Sequence, residues 1–349
     1  MLKTITPIDN SILVERNYAN DDEIETVLEN AKQARNIWKE TSLNERKEIV
    51  SNFVRSFLSN DKEIVENLCK QIGRPISQCP GEMRGFEERA NYMIENADRA
   101  LEDIISKKDK EFDNYVKKEP LGTIFVIAPW NYPFNTSVNS IVPSLLSGNT
   151  VILKHSSQTP LCAEQLFDAA NKASLPKNIF QFLHLDHSST SRVISDSRIN
   201  HVLFTGSVSG GKEVKKSIGT RFIGAGLELG GKDPAYVRSD CNLDHAIENL
   251  VDGSYFNSGQ SCCGIERIYV DEKVYDKFID GFKSVTENYI LGNPLEENTN
   301  LGPVVRMNAA KFIRSQVLEA VNNGAKNIID SNIFKADDGF NCYVSPSAL

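Results

Sequence analysis

The stretch that decides the fold is TIFVIAPWNYPF, residues 123–134, in which a run of strand length leads into a loop bounded by two prolines. Since side chains alternate between the faces of a strand, a run that is apolar on both faces is typical of a strand buried in a parallel sheet. Similar runs follow at helix-length intervals, namely NTVILK (149–154), IFQFLHL (179–185), HVLFTG (201–206) and RFIGAGLEL (221–229). They predict an α/β fold with helices on both sides of the sheet and ligands beyond the carboxyl ends of its strands.

The sequence on either side of this region has a different character. Residues 21–105 read as helical, because acidic residues open the stretch and its apolar residues follow at helical spacing. Residues 106–120, SKKDKEFDNYVKKEP, are charged and end at a proline, which predicts a solvated linker or an edge hairpin. A second region of strands and helices begins near residue 232. We expect two or three domains from a chain of this length.

Composition and charge exclude several classes of function. The 349 residues are 40% hydrophobic and 25% charged, with a formal net charge of -8 and without a basic stripe that could neutralise nucleic-acid phosphates. The sequence has neither an apolar stretch long enough to cross a bilayer nor the apolar run of a secretory signal. These features predict a cytoplasmic protein with neither nucleic acid nor membrane as a partner.

The cysteines and histidines do not suggest a disulfide framework or a metal centre. Seven cysteines is an odd number in a long chain, and CxxC pairs are absent from the sequence. His184 and His187 form a close pair beside Asp186, but polar side chains at the end of a strand more often face water than bind a metal. We therefore predict no metal site.

Two loops that follow strands carry polar groups suited to a ligand. Asn131 lies between Pro129 and Pro133, and its amide can donate two hydrogen bonds to a bound group; the alternative is that it caps the following helix. Lys154 leaves the second strand where the ribose or phosphate of a cofactor would lie, although a strand-end lysine is usually only solvated.

Two further strand ends carry glycine turns. In FTGSVSGG the residues Gly206, Ser207 and Gly211 accompany a change from strand to helix, which can present N–H groups to a phosphate or can serve close packing alone. In LELGGKDP the carboxylate of Glu228 is flanked by leucines, and we expect partial burial that raises its pKa toward that of a general base. The alternative is a charge that simply emerges at the strand end.

Adjacent cysteines complete the set of candidate residues. Cys262 and Cys263 follow YFNSGQS, which predicts a helix end and a tight turn where backbone N–H groups can face a bound group. A free cysteine is more often an inert buried residue than a nucleophile, so the pair alone does not decide between the two.

In combination these stretches resemble the aldehyde dehydrogenase superfamily. The matching segments are VIAPWNYPF, ILKHSSQTP, FTGSVSGGKEV, LELGGKDPAYV, FNSGQSCCGIERIYV and LGNPLEENTNLGPVV. The resemblance implies that Cys262, rather than Cys263, is the nucleophile, that Asn131 holds the oxyanion and that Glu228 activates the hydrolytic water. It implies NAD(P)-dependent oxidation of a small-molecule aldehyde to a carboxylic acid.

The resemblance also implies an architecture. It predicts a Rossmann-type dinucleotide-binding domain from 1–105 and 121–230, an oligomerisation hairpin at 106–120 and an α/β catalytic domain at 231–349. Because the sequence ends before the Glu-x-Phe-Gly-Pro segment of the family, we expect the catalytic domain to be incomplete at its C-terminus. Family members are usually homodimers or homotetramers.

The cofactor is expected to be NAD or NADP. By resemblance it is lined by Trp130, Lys154, Ser157, Gly206, Ser207 and Gly211. The sequence departs from the family at three places that would contact the cofactor. His155 replaces a proline, Ser157 replaces a commonly acidic residue, and DHSSTSR replaces a glycine-rich loop. Since an acidic residue would repel the 2′-phosphate, Ser157 predicts that NADP is at least tolerated.

Two other functions stay open at this point. One is an aldehyde dehydrogenase of the same fold that passes the thioester to coenzyme A, against which Glu228 argues by favouring hydrolysis. The other is a non-catalytic protein that retains the fold.

Overall fold

The structure is a computed structural model that describes residues 1–108 and 111–349. Its strands are β1 (Leu2–Ile5), β2 (Ile12–Arg16), β3 (Ile104–Lys108), β4 (Asp113–Val116), β5 (Thr123–Ile127), β6 (Thr150–Lys154), β7 (Phe180–Phe182), β8 (Ile199–Thr205), β9 (Gly224–Glu228), β10 (Asp233–Val237) and β11 (Ile265–Val270). Its helices are α1 (Asp21–Trp38), α2 (Leu43–Leu58), α3 (Asp61–Ile72), α4 (Pro80–Leu101), α5 (Pro133–Leu146), α6 (Pro160–Lys172), α7 (His187–Ser195), α8 (Val208–Ile218), α9 (Leu243–Tyr255), α10 (Tyr275–Glu287) and α11 (Met307–Asn322).

The chain divides into two compact units. Unit 1 comprises Met1–Leu2, Arg16–Ile64 and Glu82–Glu228, and unit 2 comprises Lys3–Glu15, Val65–Gly81 and Leu229–Leu349. Within the described residues, no helix is both long and apolar enough to cross a membrane.

Unit 1 is built on the sheet that the sequence predicts. Its five strands run parallel in the order β7-β6-β5-β8-β9, and each corresponds to one of the five apolar runs. Every residue of the central strand β5 is buried. The prediction of a parallel α/β sheet is therefore confirmed.

Both faces of this sheet are covered by helices. On one face, apolar residues of α1, α7 and α8 pack with Phe125, Ile152 and Val202 into one core. Strand alternation turns Ile124 and Val126, which are also buried, to the opposite face. Aromatic side chains join α2, α4 and α5, with the Phe57 ring centroid 4.4 Å from that of Phe86 and 4.9 Å from that of Phe134.

The predicted helical region ends earlier than expected. Helix α4 stops at Leu101, and the β-branched residues Ile104 and Ile105 begin β3 instead. Strand β3 pairs antiparallel with β4, with Ile105 opposite Tyr115. Residues 109 and 110 of the predicted hairpin 106–120 lie outside the described residues, and the oligomerising role of this hairpin stays a prediction.

Unit 2 contains a parallel pair of strands, β10 and β11, connected through α9. Its main core consists of Val237, Ile247, Val251, Phe278 and Phe282, which join β10, α9 and α10. A second cluster is formed by Leu291, Leu301, Ile329 and Phe334. The turn that carries the paired cysteines lies between α9 and β11.

Candidate active site

The loop after β5 holds Asn131 at the start of α5. Asn131 and Trp130 are partly exposed, and the residue at the N-terminal boundary of α5 is Tyr132, which provides no side-chain cap. The alternative that Asn131 caps this helix stays a prediction. The cap that the structure shows comes from Glu82, whose Oε1 accepts the backbone N–H groups of Phe134 at 2.9 Å and Asn135 at 2.8 Å.

The loop after β6 combines a half-buried lysine with a buried histidine. Burial lowers the pKa of Lys154 to about 8. Burial also lowers the pKa of His155 to about 3. Nδ1 of His155 accepts the Ser156 N–H at 3.1 Å, so the ring proton lies on Nε2, 3.4 Å from the Pro133 carbonyl. His155 thus links this loop to the start of α5, while Ser157 is exposed.

Packing within unit 1 requires a glycine in the turn after β8, whether or not a ligand binds there. A Cβ on Gly206 would lie 2.7 Å from Cζ of Phe204, so a side chain would collide with that ring. Ser207 caps α8, since its Oγ accepts the Gly210 N–H at 3.1 Å. Gly211 lies within the first turn of α8 and donates its N–H to the Ser207 carbonyl at 3.0 Å. The N–H of Gly211 is therefore used by the helix and not directed at a ligand, and the N-terminus of α8 is the anion-attracting feature here.

Glu228 ends β9 and is exposed, so the expected partial burial is wrong. The leucines beside it suggested burial, but β9 is the edge strand of the unit 1 sheet and Glu228 is its last residue. The Glu228 carbonyl accepts the Gly206 N–H at 2.9 Å, which fixes the strand end beside the turn after β8.

Most of these residues meet at one edge of the sheet. Strand β5 lies between β6 and β8, and the chain runs outward from β5 to β7 before it returns to β8. Loops diverge at such a switch point and leave a crevice at the carboxyl ends of the strands. The structure therefore brings the loop of Asn131, the end of β6 at Lys154, the turn at Gly206 and Ser207, and Glu228 to the same edge of unit 1.

Cys262 lies in unit 2, in a turn of unusual backbone conformation. The preceding residues Asn257, Ser258 and Gly259 have φ values of 53°, 57° and 71°. A left-handed conformation costs a residue with a side chain about 1–2 kcal/mol. Side-chain hydrogen bonds offset this cost: Ser258 Oγ donates to the Gly302 carbonyl at 2.8 Å, and Gln260 Oε1 accepts the Val305 N–H at 2.8 Å.

The two cysteines at the end of this turn are exposed. Neighbouring protein atoms remove part of the water around the Cys262 thiol, which raises its pKa, and Cys263 raises this pKa further. The backbone N–H groups of Cys262 and Cys263 lower the pKa of Cys262. The Cys263 sulfur lies 3.2 Å from Ser261 Oγ. The backbone N–H groups of Cys262 and Cys263 therefore favour the charged form of the Cys262 sulfur.

The Glu-Leu-Gly-Gly segment reaches this turn through its second glycine. A Cβ on Gly231 would lie 2.3 Å from the Cys262 carbonyl oxygen, so the two backbones are in direct contact. Gly231 is three residues after Glu228 in the sequence. This close approach explains the glycine at 231, whereas a Cβ on Gly230 would meet no atom within 4 Å.

Several other features lie outside the candidate site. A cavity of about 770 Å³ in unit 2 is lined by Tyr255, Phe278, Phe282 and neighbouring residues, and contains none of the predicted site residues. His184 pairs with Glu164 at 2.9 Å, and Asp186 caps α7. Across the described ranges, no group of three or more His, Cys, Asp or Glu side chains could hold a metal ion.

Comparison with known proteins agrees with this geometry. The profile of the Aldehyde dehydrogenase family matches residues 1–349. The chain is 28% identical over 323 residues to the succinate semialdehyde dehydrogenase (NAD(P)+) Sad of Escherichia coli (strain K12), covering 93% of this chain and 70% of that protein. It is 31% identical over 313 residues to the 3-sulfolactaldehyde dehydrogenase of Priestia megaterium, covering 88% of this chain and 65% of that protein.

Among solved structures, the chain is similar to succinic semialdehyde dehydrogenase from Streptococcus pyogenes in complex with NADP+. The TM-score is 0.92 at 26% identity, over 99% of this chain and 76% of that one. The chain spans about two thirds of the length of the curated relatives it matches.

Proposed function

Since the chain belongs to the aldehyde dehydrogenase family, as the sequence resemblance predicted, we propose that it oxidises an aldehyde to a carboxylic acid with NAD or NADP. The observation that carries this proposal is the contact between the Gly231 backbone and the Cys262 carbonyl. It places the second glycine of the Glu-Leu-Gly-Gly segment against the turn that carries the exposed Cys262 thiol. A nucleophile and an oxyanion donor are the first requirements of the reaction.

In the proposed mechanism, the Cys262 thiolate attacks the aldehyde carbon. The resulting oxyanion accepts hydrogen bonds from the Asn131 amide and the Cys262 backbone N–H. A bound nicotinamide supplies a hydride acceptor for the oxidation of this adduct to the thioester. Glu228 takes a proton from a water, whose oxygen attacks the thioester carbon. The carbon–sulfur bond breaks and releases the carboxylic acid and the Cys262 thiolate, and Glu228 then passes its proton to solvent. The exposure of Glu228 at the end of β9 supports its access to water.

The residues of unit 1 fit a dinucleotide. The N-terminus of α8 attracts a pyrophosphate, and Lys154 and Ser157 follow β6 at the same sheet edge. We propose that Trp130, Lys154, Ser157, Gly206 and Ser207 line the cofactor, and that Gly211 contributes through helix packing. The exposed, uncharged Ser157 supports acceptance of NADP at least as readily as NAD, and the Streptococcus pyogenes neighbour binds NADP+.

The proposal includes the domains and assembly of the whole protein. We propose a dinucleotide-binding domain at 1–105 and 121–230, a catalytic domain at 231–349 and an oligomerisation hairpin at 106–120. Large apolar side chains exposed on β3 and β4 support a subunit interface there, among them Ile105 at 70% and Tyr115 at 58%. We further propose that the protein is a homodimer or homotetramer. We also propose that it is cytoplasmic, and the seven free thiols support this location.

The test is formation of reduced nicotinamide from an aldehyde panel with NAD or NADP, with and without coenzyme A. We expect turnover without coenzyme A, its loss in Cys262→Ala, and its retention in Cys263→Ala. Turnover that requires coenzyme A would identify an acylating enzyme instead. A folded protein without turnover on the whole panel would favour a non-catalytic role, and activity in Cys262→Ala would refute the assignment of the nucleophile.

A further inference from the structure

A buried arginine lies behind the turn that carries Cys262. Arg74 follows α3 in the tripeptide Gly73-Arg74-Pro75 and is only 2% exposed, which is rare for a charged side chain. Its Nε donates to Oδ1 of Asn257 at 3.0 Å. Asn257 is 1% exposed and is the first of the three left-handed residues before Cys262. The hydrogen bond therefore joins residues 183 positions apart in the sequence.

The backbone that carries Arg74 is itself held in place. Gly73 has a φ of 78°, and a Cβ there would lie 2.7 Å from Cγ of Pro303 and 2.9 Å from Cγ of Pro7. The Cys79 thiol donates to the Arg74 carbonyl at 3.5 Å. The guanidinium, whose planar geometry is rigid, is thus presented from a fixed segment.

Asn257 is hydrogen-bonded in turn to Gln260, further along the same turn. Its Nδ2 donates to the Gln260 carbonyl at 3.4 Å, and Nε2 of Gln260 donates back to the Asn257 carbonyl at 3.1 Å. Gln260 lies two residues before Cys262. The side chain that Arg74 holds is therefore bonded to the backbone that leads directly into the thiol.

We propose that Arg74 is a positioning residue for Cys262, holding Asn257 so that the turn keeps the Cys262 side chain and the Cys262 backbone N–H in the arrangement that the reaction needs. The proposal rests on the proposed function, in which Cys262 is the nucleophile. Arg74 acts through Asn257 and is not assigned any contact with substrate.

Loosening this turn has a defined chemical consequence. The N–H groups of Cys262 and Cys263 stabilise the thiolate, so their displacement raises the pKa of Cys262 further. It also misplaces the Cys262 N–H that would hold the oxyanion. Small displacements of this kind reduce turnover more than substrate binding.

The test is the pH profile of Cys262 alkylation by iodoacetamide, followed by peptide mass spectrometry in the full chain. We expect Arg74→Met to raise the midpoint by about one pH unit, which makes alkylation about tenfold slower at neutral pH. Arg74→Lys, which retains a cation and a donor, should restore most of the rate. In an active preparation, kcat should fall about 10–100-fold in Arg74→Met while KM for the aldehyde stays within about threefold.

A matched control separates positioning from general destabilisation. Arg314 is also in unit 2 and donates to Asp337 at 2.7 Å and to the Tyr343 carbonyl at 2.7 Å. Arg314→Met should therefore destabilise unit 2 and leave the Cys262 profile unchanged. A folded Arg74→Met protein with the wild-type profile would overturn the proposal, and so would an equal shift in Arg314→Met.

A second variant serves if Arg74→Met does not fold. Asn257→Gly accommodates the positive φ and removes the side chain that Arg74 holds. The proposal expects the same rise in the alkylation midpoint, and an unchanged midpoint would overturn it. Since alkylation does not require dehydrogenase activity, failure of the proposed function and failure of this inference are distinguishable.

Discussion

The carboxylate of Glu82 and the backbone N–H of Phe134 are joined by a buried hydrogen bond of 2.9 Å that caps α5 from another helix. Asn135 donates its N–H to the same oxygen at 2.8 Å. Glu82→Ala leaves these N–H groups without this acceptor, so we expect unfolding free energy to fall by roughly 2–4 kcal/mol. Urea denaturation followed by tryptophan fluorescence measures it. Glu87→Ala, an exposed site on the same helix, should change stability by less than about 0.5 kcal/mol.

Glu228→Gln should separate oxidation from hydrolysis. The amide cannot accept a proton from water, so we expect one burst of reduced cofactor per active site and then slow release of the acid. Stopped-flow measurement resolves the burst, and mass spectrometry should find the acyl group on Cys262. Glu213→Gln, an exposed change on α8, is the control. Steady turnover at the wild-type rate in Glu228→Gln would remove Glu228 as the base.

Ser157→Glu should shift cofactor preference from NADP toward NAD. A carboxylate three residues after Lys154 would repel the 2′-phosphate and replace a hydroxyl donor, a change of about 1.5–3 kcal/mol. We expect kcat/KM with NADP to fall at least about tenfold. Ser157→Ala separates the charge from the hydroxyl and should show the smaller effect. A wild-type preference for NAD beyond about tenfold, or 1.4 kcal/mol, would contradict the argument.

Alkaline pH should weaken the use of NADP. Burial lowers the pKa of Lys154 to about 8, so its positive charge is present below that pH and is lost as the pH rises through it. We expect kcat/KM for NADP to decline above about pH 8, with a smaller decline for NAD, which has no 2′-phosphate. In Lys154→Met, kcat/KM for NADP should be low and lack this step.

Acid should destabilise the protein through His155. Burial lowers its pKa from 6.5 to about 3, so between these values the unfolded chain binds a proton that the folded chain does not. The contribution of neutral, buried His155 to the free energy of unfolding is fully present above pH 6.5. It decreases by about 1.4 kcal/mol per pH unit as the pH falls toward 3. Denaturation across this range should show a shallower loss in His155→Gln. His187→Gln, at an exposed site, should retain the wild-type slope.

The sequence predicts the parts of the fold that local pattern determines. Strand β5 and its neighbours are apolar on both faces, and their loops carry Asn131, Lys154 and Ser207 because the ends of parallel strands meet at one edge. The prediction that Glu228 is partly buried was wrong, because the flanking leucines do not show that β9 lies at the edge of its sheet.

Other residues could not be found in this way. Arg74 and Asn257 are 183 positions apart, and Glu82 is 52 positions from Phe134. Their roles depend on contacts that neither helical nor strand periodicity encodes. The one local signal is composition: Arg74 lies between a glycine and a proline, and the proline restricts the backbone conformation of Arg74.

The turn around Cys262 also bears on how long the thiol survives. Peroxide oxidises thiolates and reacts slowly with protonated thiols. Because neighbouring protein atoms and Cys263 raise the pKa of Cys262, a smaller fraction of this sulfur is thiolate than in an ordinary exposed cysteine at the same pH. A sulfenic acid formed at the exposed Cys262 can still condense with a thiol from solution, which stops oxidation at a stage that reductants reverse.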